Sequence, residues 1–304
     1  MPKENTHIFF AYEIISCLVD KEIVNLVSTH INDYILGSIS PDTFFYSNFP
    51  EVKNISEHIH GKDGIPTNEL IFSCLDSTEN PRDMAFLLGF VTHCALDITT
   101  HPSIYYLTGN YYDKDPARMS LSRYNHSLFE TGLDIKIGNS LRIHKLLKPS
   151  GMEGLVFRRI ISNRFKADSS LLDKTFRKQL FLNMLFDSRP AHEIFKPAIK
   201  AGIFGDPYIL GLFYREAAHT WQNISDGYAI RDIITGEKRD VTLKGLFNDA
   251  FNKAQIMMNA VFAFYKGLIS RKDLQEAIPG EDLSTGKLGI CISDIAYTLH
   301  DEVV

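Results

Sequence analysis

Two stretches decide how this chain folds: LGFVTHCALDITTHP, residues 88–102, and NHSLFETGLD, residues 125–134. Around the first, Ala85, Leu88, Val91, Thr92, Ala95 and Leu96 recur at three- and four-residue steps, the period of a helix with a buried face. Asn80-Pro81 opens that helix with a capping residue and a proline in the first turn. It is expected to stop near Thr100, because His101 precedes Pro102 and a residue before proline is disfavoured in the helical conformation. The second stretch falls in a helix predicted from about Ser120 to Leu147, tolerating Gly132 and Gly138. Each stretch carries a histidine and a carboxylate four residues apart, His93/Asp97 and His126/Glu130, which share a helix face and can aim at one ion. Either pair alone reads as a surface hydrogen-bonded pair. Their neighbours, Phe90, Val91, Ala95 and Leu96 for one and Leu128, Phe129 and Leu133 for the other, imply burial, which a carboxylate tolerates only beside a cation or hydrogen-bond donors. Two such pairs with His101 between them point to metal.

Working outward, helical periodicity persists almost throughout. Ile8, Ala11, Tyr12 and Ile15 give a first helix after a Thr6 cap, and Asp20 caps a second through Ile23, Val24 and Val27. A third segment, Ile31 to Ile39, is expected to end at Ser40-Pro41. Asp42 to Pro66 reads as a long loop, a place where function often resides, before helical patterning returns from Thr67 to Leu75. Lys148-Pro149-Ser150-Gly151 is the clearest break, and candidate helices follow near Leu155–Phe165, Leu171–Phe186, Tyr208–Gln222 and Val241–Ile269. Tyr228–Ile234 and Gly289–Ile292 are weak strand candidates. The expected fold class is all-α, a single large multi-helix domain, with residues 1–150 as the metal-site region and 151–304 as a helical region packing on it or covering it.

Composition narrows the function classes. At 304 residues, 44% hydrophobic and 23% charged, the chain is globular, and a net charge of −5 supplies no basic excess for gripping nucleic acid or anionic lipid by bulk electrostatics. Cys17, Cys74, Cys94 and Cys291 form no CxxC and are too scattered for a disulfide framework. No apolar run reaches the roughly 18 residues of a membrane span, and the N-terminus lacks a recognisable export signal, so a cytoplasmic protein is expected. The eleven histidines are the informative excess, because seven lie in the first 126 residues. Imidazole and carboxylate without thiolate suit zinc used for hydrolysis, and two or more ions in one cleft suit phosphate-ester chemistry.

Taken in order, His7, Asp42, one of His58 or His60, His93-x3-Asp97, His101 and His126-x3-Glu130 resemble the zinc-dependent phospholipase C superfamily, whose all-helical fold is shared with zinc-dependent single-strand nucleases. The resemblance covers roughly the first 140 residues. It implies that His93, Asp42, the loop histidine and Asp97 bind one zinc, that Asp97 bridges to a second which takes His7, and that His101, His126 and Glu130 hold a third. His60 is preferred over His58 by a small margin, since Gly61 lets backbone come close to the site, and both remain candidates. The family's further ligand is a mature N-terminal tryptophan; this sequence starts Met1-Pro2, so two or three Zn2+ ions are expected.

The resemblance further implies a phospholipase C-like hydrolase in which metal-bound hydroxide attacks the phosphorus of a phosphodiester, with Asp42 as the catalytic general base. Tyr105, Tyr106, Tyr112 or Trp221 are candidates for a wall against a headgroup or base. The rival readings are a nuclease or small-molecule phosphodiesterase of the same fold, and a non-catalytic helical protein with structural zinc or none. A phosphate-ester substrate, such as a phospholipid headgroup, is expected as the partner, with nucleic acid less favoured.

Overall fold

A computed structural model describes residues 3–138, 141–203, 206–220 and 225–301. The architecture is all-α, as the periodicity implies. Helices α1 (Glu4–Cys17), α2 (Lys21–Thr29), α3 (Ile31–Thr43), α4 (Pro50–Ile59), α5 (Asn68–Asp76), α6 (Pro81–Thr108) and α7 (Pro116–Gly138) make up the first half. In the second are α8 (Ile143–Leu146), α9 (Val156–Phe165), α10 (Ser169–Asp187), α11 (Arg189–Lys200), α12 (Tyr214–Thr220), α13 (Leu243–Tyr265) and α14 (Arg271–Ala277). Among the described residues there is one antiparallel hairpin, β1 (Gly227–Arg231) with β2 (Lys238–Thr242), which pairs Ala229 with Asp240.

The long helix α6 is the axis of the core. Its buried residues run from Asp83 to Thr108 and pack with α1, α3 and α13. The α3–α6 crossing is so close that the two backbones touch: a Cβ on Gly37 would stand 2.0 Å from the Phe86 carbonyl oxygen, and one on Gly89 would stand 1.9 Å from that of Tyr34. Only glycine at both positions permits this approach. One main cluster of buried side chains, with Phe10, Tyr34, Phe86, Phe90, Phe176 and Met258 among its members, draws on both halves of the chain.

Local sequence signals hold at several ends. Asp20 accepts hydrogen bonds from the Glu22 and Ile23 amides, and Asn80 does the same for Arg82 and Asp83 ahead of Pro81. Elsewhere packing overrides them. α3 continues through Pro41 to Thr43, and α6 continues through Pro102 to Thr108, although each proline removes a ladder bond at a cost of about 3 kcal/mol. Both prolines lie in buried turns of long, heavily packed helices, where side-chain burial at about 1.5–3 kcal/mol per large residue outweighs that cost. The expected loop over 42–66 contains α4, whose Val52, Ile55 and Ile59 bury one face after Pro50 at its first position. Four further expectations are corrected. α1 starts at Glu4, before Thr6, α7 ends at Gly138, well before Leu147, the described part of Tyr208–Gln222, whose residues 221 and 222 lie outside the described residues, divides into a 3-10 segment, Pro207–Leu212, and α12, and Gly289–Ile292 forms no strand.

Candidate metal centre

The histidines and carboxylates singled out in the sequence come from separate helices and converge. α3 delivers Asp42 one turn beyond its Gly37 contact, α6 delivers His93, Asp97 and His101 on one face, α7 delivers His126 and Glu130, α1 delivers His7, and His60 follows the end of α4. All are buried, Asp97 and His93 completely.

Two groups result, one of Asp42, His60, His93 and Asp97 and one of His101, His126 and Glu130, with the facing atoms of each within 4.8 Å of one another. His60 Nε2 is 3.2 Å from Asp42 Oδ1 and 3.5 Å from Asp97 Oδ2, while His93 Nε2 is 3.0 Å from Asp97 Oδ2. His126 Nε2 lies 2.9 Å and His101 Nε2 3.9 Å from Glu130 Oε1. Asp97 stands between the groups: its other oxygen, Oδ1, is 3.4 Å from His7 Nε2 and 3.7 Å from His101 Nε2. The His7 and His93 rings stack at 3.8 Å.

The second ring nitrogens explain what these contacts are. His60 Nδ1 lies 2.6 Å from the Ser56 carbonyl oxygen, His93 Nδ1 2.9 Å from that of Ser38, and His101 Nδ1 2.8 Å from that of Leu283. A carbonyl only accepts, so each Nδ1 carries a proton and each Nε2 is turned inward, with a bare lone pair when the ring is neutral. His126 Nδ1 meets the Thr108 hydroxyl at 3.2 Å, and that hydroxyl donates to the Ile104 carbonyl, leaving its lone pairs to accept from the ring. Among the described residues, His60, His93 and His101 Nε2, Asp42 Oδ1 and both oxygens of Asp97 have no hydrogen-bond partner. Lone pairs facing carboxylates in a buried space repel unless a cation sits among them. Ligand atoms about 2.0–2.2 Å from a tetrahedral zinc stand roughly 3.3 Å apart, close to the spacings found here. The donor set and its orientation fit zinc.

A family model described as zinc dependent phospholipase C matches residues 6–180, more than half of the chain. The chain belongs to this family. Neither the curated proteins nor the solved structures gave a match. The family match and the two clustered donor groups agree on a zinc-dependent hydrolase acting on phosphate esters. Among the described residues, no helix is long and apolar enough to cross a membrane.

The electrostatics follow from burial and crowding. Burial opposes charge on His60, but the Asp42 and Asp97 carboxylates against it prevail and lift its pKa to about 9. Burial raises the cost of charge on Asp97 as well, yet His101, His93 and His7 hold it well below the usual carboxylate range. His101 and His126, where burial dominates, are held well below the ordinary histidine value. Both groups reach a cavity of about 510 Å³ through Asp42, His60, His101, His126 and Glu130. Tyr105, Tyr111 and Tyr112 line it near His126, with Arg123 over the Tyr111 ring.

His58 is not brought into either group; its ring packs edge-on against Phe165, at 5.0 Å between centroids. Trp221 lies outside the described residues. Three supports of the site escaped sequence reading. Thr108 and the Leu283 carbonyl orient rings, and the latter belongs to the chain's last quarter. Asp134, one turn after Glu130, accepts from the Thr6 amide and hydroxyl at 2.8 and 2.6 Å, from the Asn5 amide at 3.3 Å and from the Tyr214 hydroxyl at 2.6 Å. It thus caps α1 from across the core, where Lys3 offers no side-chain cap, and fixes the turn that carries His7. Its i,i+4 spacing from Glu130 was the available signal.

Proposed function

We propose that this protein hydrolyses phosphodiesters at a zinc cluster held by His7, Asp42, His60, His93, Asp97, His101, His126 and Glu130. One observation carries the reading: inward-facing Nε2 lone pairs confront carboxylate oxygens at the wall of a cavity large enough for a substrate. Zinc bound there supplies Lewis acidity and a water acidified toward neutrality. The rings of His60, His93, His101 and His126, fixed through Nδ1, keep their donors in place without reorganisation. Asp42 is the only carboxylate of its group on the cavity wall, which supports it as the general base that takes a proton from the attacking water. The tyrosines near His126 shield the reacting phosphate from bulk water.

Metal analysis of the purified protein, followed by a phosphodiester panel, tests this. At least two zinc ions per chain are expected, with turnover on phospholipid headgroup diesters exceeding that on single-stranded DNA. Asp42→Asn should keep the fold and lower turnover by about 10²–10⁴-fold, the scale of a lost general base. Metal-free protein, or preferential cleavage of the DNA, would overturn the reading.

A further inference from the structure

The cavity that opens on the metal-facing residues has a second, apolar end. Leu182 and Phe186 of α10, Phe195 and Ile199 of α11, and Ile209 and Phe213 around the 3-10 segment Pro207–Leu212 line it. All six lie beyond residue 180, where the family match stops. They belong with a satellite apolar cluster separate from the main core. This arm is registered to the metal end through α7. A Cβ on Gly211 would stand 2.8 Å from the Tyr124 carbonyl oxygen, and the Gly211 carbonyl accepts from the Thr131 hydroxyl at 2.8 Å, next to Glu130. Of the Lys3 and Glu4 side-chain polar atoms bordering the arm, Glu4 Oε2 has no hydrogen-bond partner among the described residues and the others are engaged. Lys3 Nζ donates to the Leu212 carbonyl, and Glu4 Oε1 accepts from Tyr46, Gln179 and Asn183.

We propose that this arm takes one aliphatic chain of the substrate, so that the substrate is a single-chain phosphodiester amphiphile; this rests on the phosphodiester reading above. The whole cavity, about 510 Å³, lies within the roughly 300–1,000 Å³ that encloses one drug-sized molecule. With a phosphate at the metal end, the remainder has room for one chain, and the second long chain of a diacyl lipid would lie outside the arm and gain no contact there. The donors for phosphate come from the family-matched part, whereas the selection of the apolar group comes from residues 182–213, outside it.

The test is calorimetric titration of zinc-loaded and metal-free protein with n-alkylphosphonates of increasing length, whose carbon–phosphorus bond resists hydrolysis. Affinity should rise by up to about fourfold per methylene, the value of burying a CH₂, and then level off once the arm is full. The slope should survive zinc removal, because no metal donor lies in the arm, and a dialkylglycerol phosphonate should bind no tighter than its single-chain counterpart. Leu182→Trp and, independently, Ile209→Trp, both at half-buried positions, should move the plateau to shorter chains with unchanged circular dichroism. A flat chain-length profile, tenfold tighter binding of the dialkyl compound, or a plateau unmoved by either folded variant would overturn the proposal. Turnover of methyl 4-nitrophenyl phosphate, which has no chain, reports on the hydrolase reading alone. Absent turnover with a steep binding slope removes that reading and leaves the arm; turnover with a flat slope does the reverse.

Discussion

The inner group, Asp42, His60, His93 and Asp97, and the outer group, His101, His126 and Glu130, use similar side chains but are supported differently. Backbone holds the inner one. Asp42 and His93 are brought together by the glycine contact of α3 with α6, and its two histidines are oriented by the carbonyls of Ser38 and Ser56. The outer one depends on side chains as well: the Leu283 carbonyl orients His101, but Thr108 orients His126 and Asp134 ties α7 to α1. If zinc is held as proposed, the inner group would offer it four protein donors, enough for a closed site, and the outer group three, which would leave a position for water or substrate.

Asp97 is where the comparison breaks most completely, since one oxygen faces His60 and His93 and the other faces His7 and His101. Asp97→Ala should empty both groups and lower turnover by on the order of 10³-fold or more, beyond the loss of one electrostatic contact. His126→Ala should remove a single ion and spare the inner one. Zinc content by atomic absorption decides, and equal losses from the two variants would show that the groups do not load separately.

Gly89→Ala attacks the inner support alone. The new methyl would meet the Tyr34 carbonyl, which belongs to backbone and cannot swing away, so α3 must be displaced from α6. A stability loss of about 3 kcal/mol or somewhat more is expected in urea unfolding, at the upper end for overpacking. Zinc retained at 25 °C should dissociate from the inner group first. Wild-type stability in this variant would mean that the crossing is looser than described.

Asp134 probes the other support. Burial pushes its carboxyl pKa up to about 6, from 3.8 in an exposed chain. The folded state therefore holds a proton that the unfolded state has released, and this stabilising contribution is present in full below pH ~4. It is lost as pH rises through about 6, a change of roughly 3 kcal/mol at 1.36 kcal/mol per pH unit. Asp134→Asn should flatten the stability curve between pH 4 and 6. Asp134→Ala leaves the Asn5 and Thr6 amides without their acceptor, at a cost of about 1–3 kcal/mol, and should loosen His7 while sparing His126. An unchanged pH slope in the asparagine variant would remove Asp134 as its source.

How much of this was legible in the sequence follows the same division. Spacing along one helix was readable, so HCALD and HSLFE stood out as faces. The helical class was readable from periodicity. What crosses between helices was not: nothing in a single chain says that Gly37 will meet Phe86, that a carbonyl from residue 283 will orient His101, or that Asp134 will cap α1. Proline misled for a related reason. Its local preference is real, but at Pro41 and Pro102 the energy that decides comes from neighbours distant in sequence. The choice between His58 and His60 rested on Gly61, and Gly61 does adopt a positive φ of 92°, turning the chain directly after His60.

Thr108 gives the smallest and most selective effect. The backbone carbonyls that orient His60, His93 and His101 cannot be deleted by substitution, so His126 is the one ring among these four whose second contact can be removed alone. Thr108→Val keeps the volume and removes the acceptor. The His126 ring then loses the preference for its Nδ1–H tautomer and some of the basicity of Nε2. Metal affinity at the outer group should weaken by about 10–100-fold, the usual consequence of removing such a support, while the inner group keeps its affinity. Competition with a chelator of graded strength measures the two separately. Equal weakening of both would mean that His101 and Asp97 couple the groups more tightly than their separate supports imply, and no weakening would mean that Glu130, 2.9 Å from His126 Nε2, is sufficient to hold the ring.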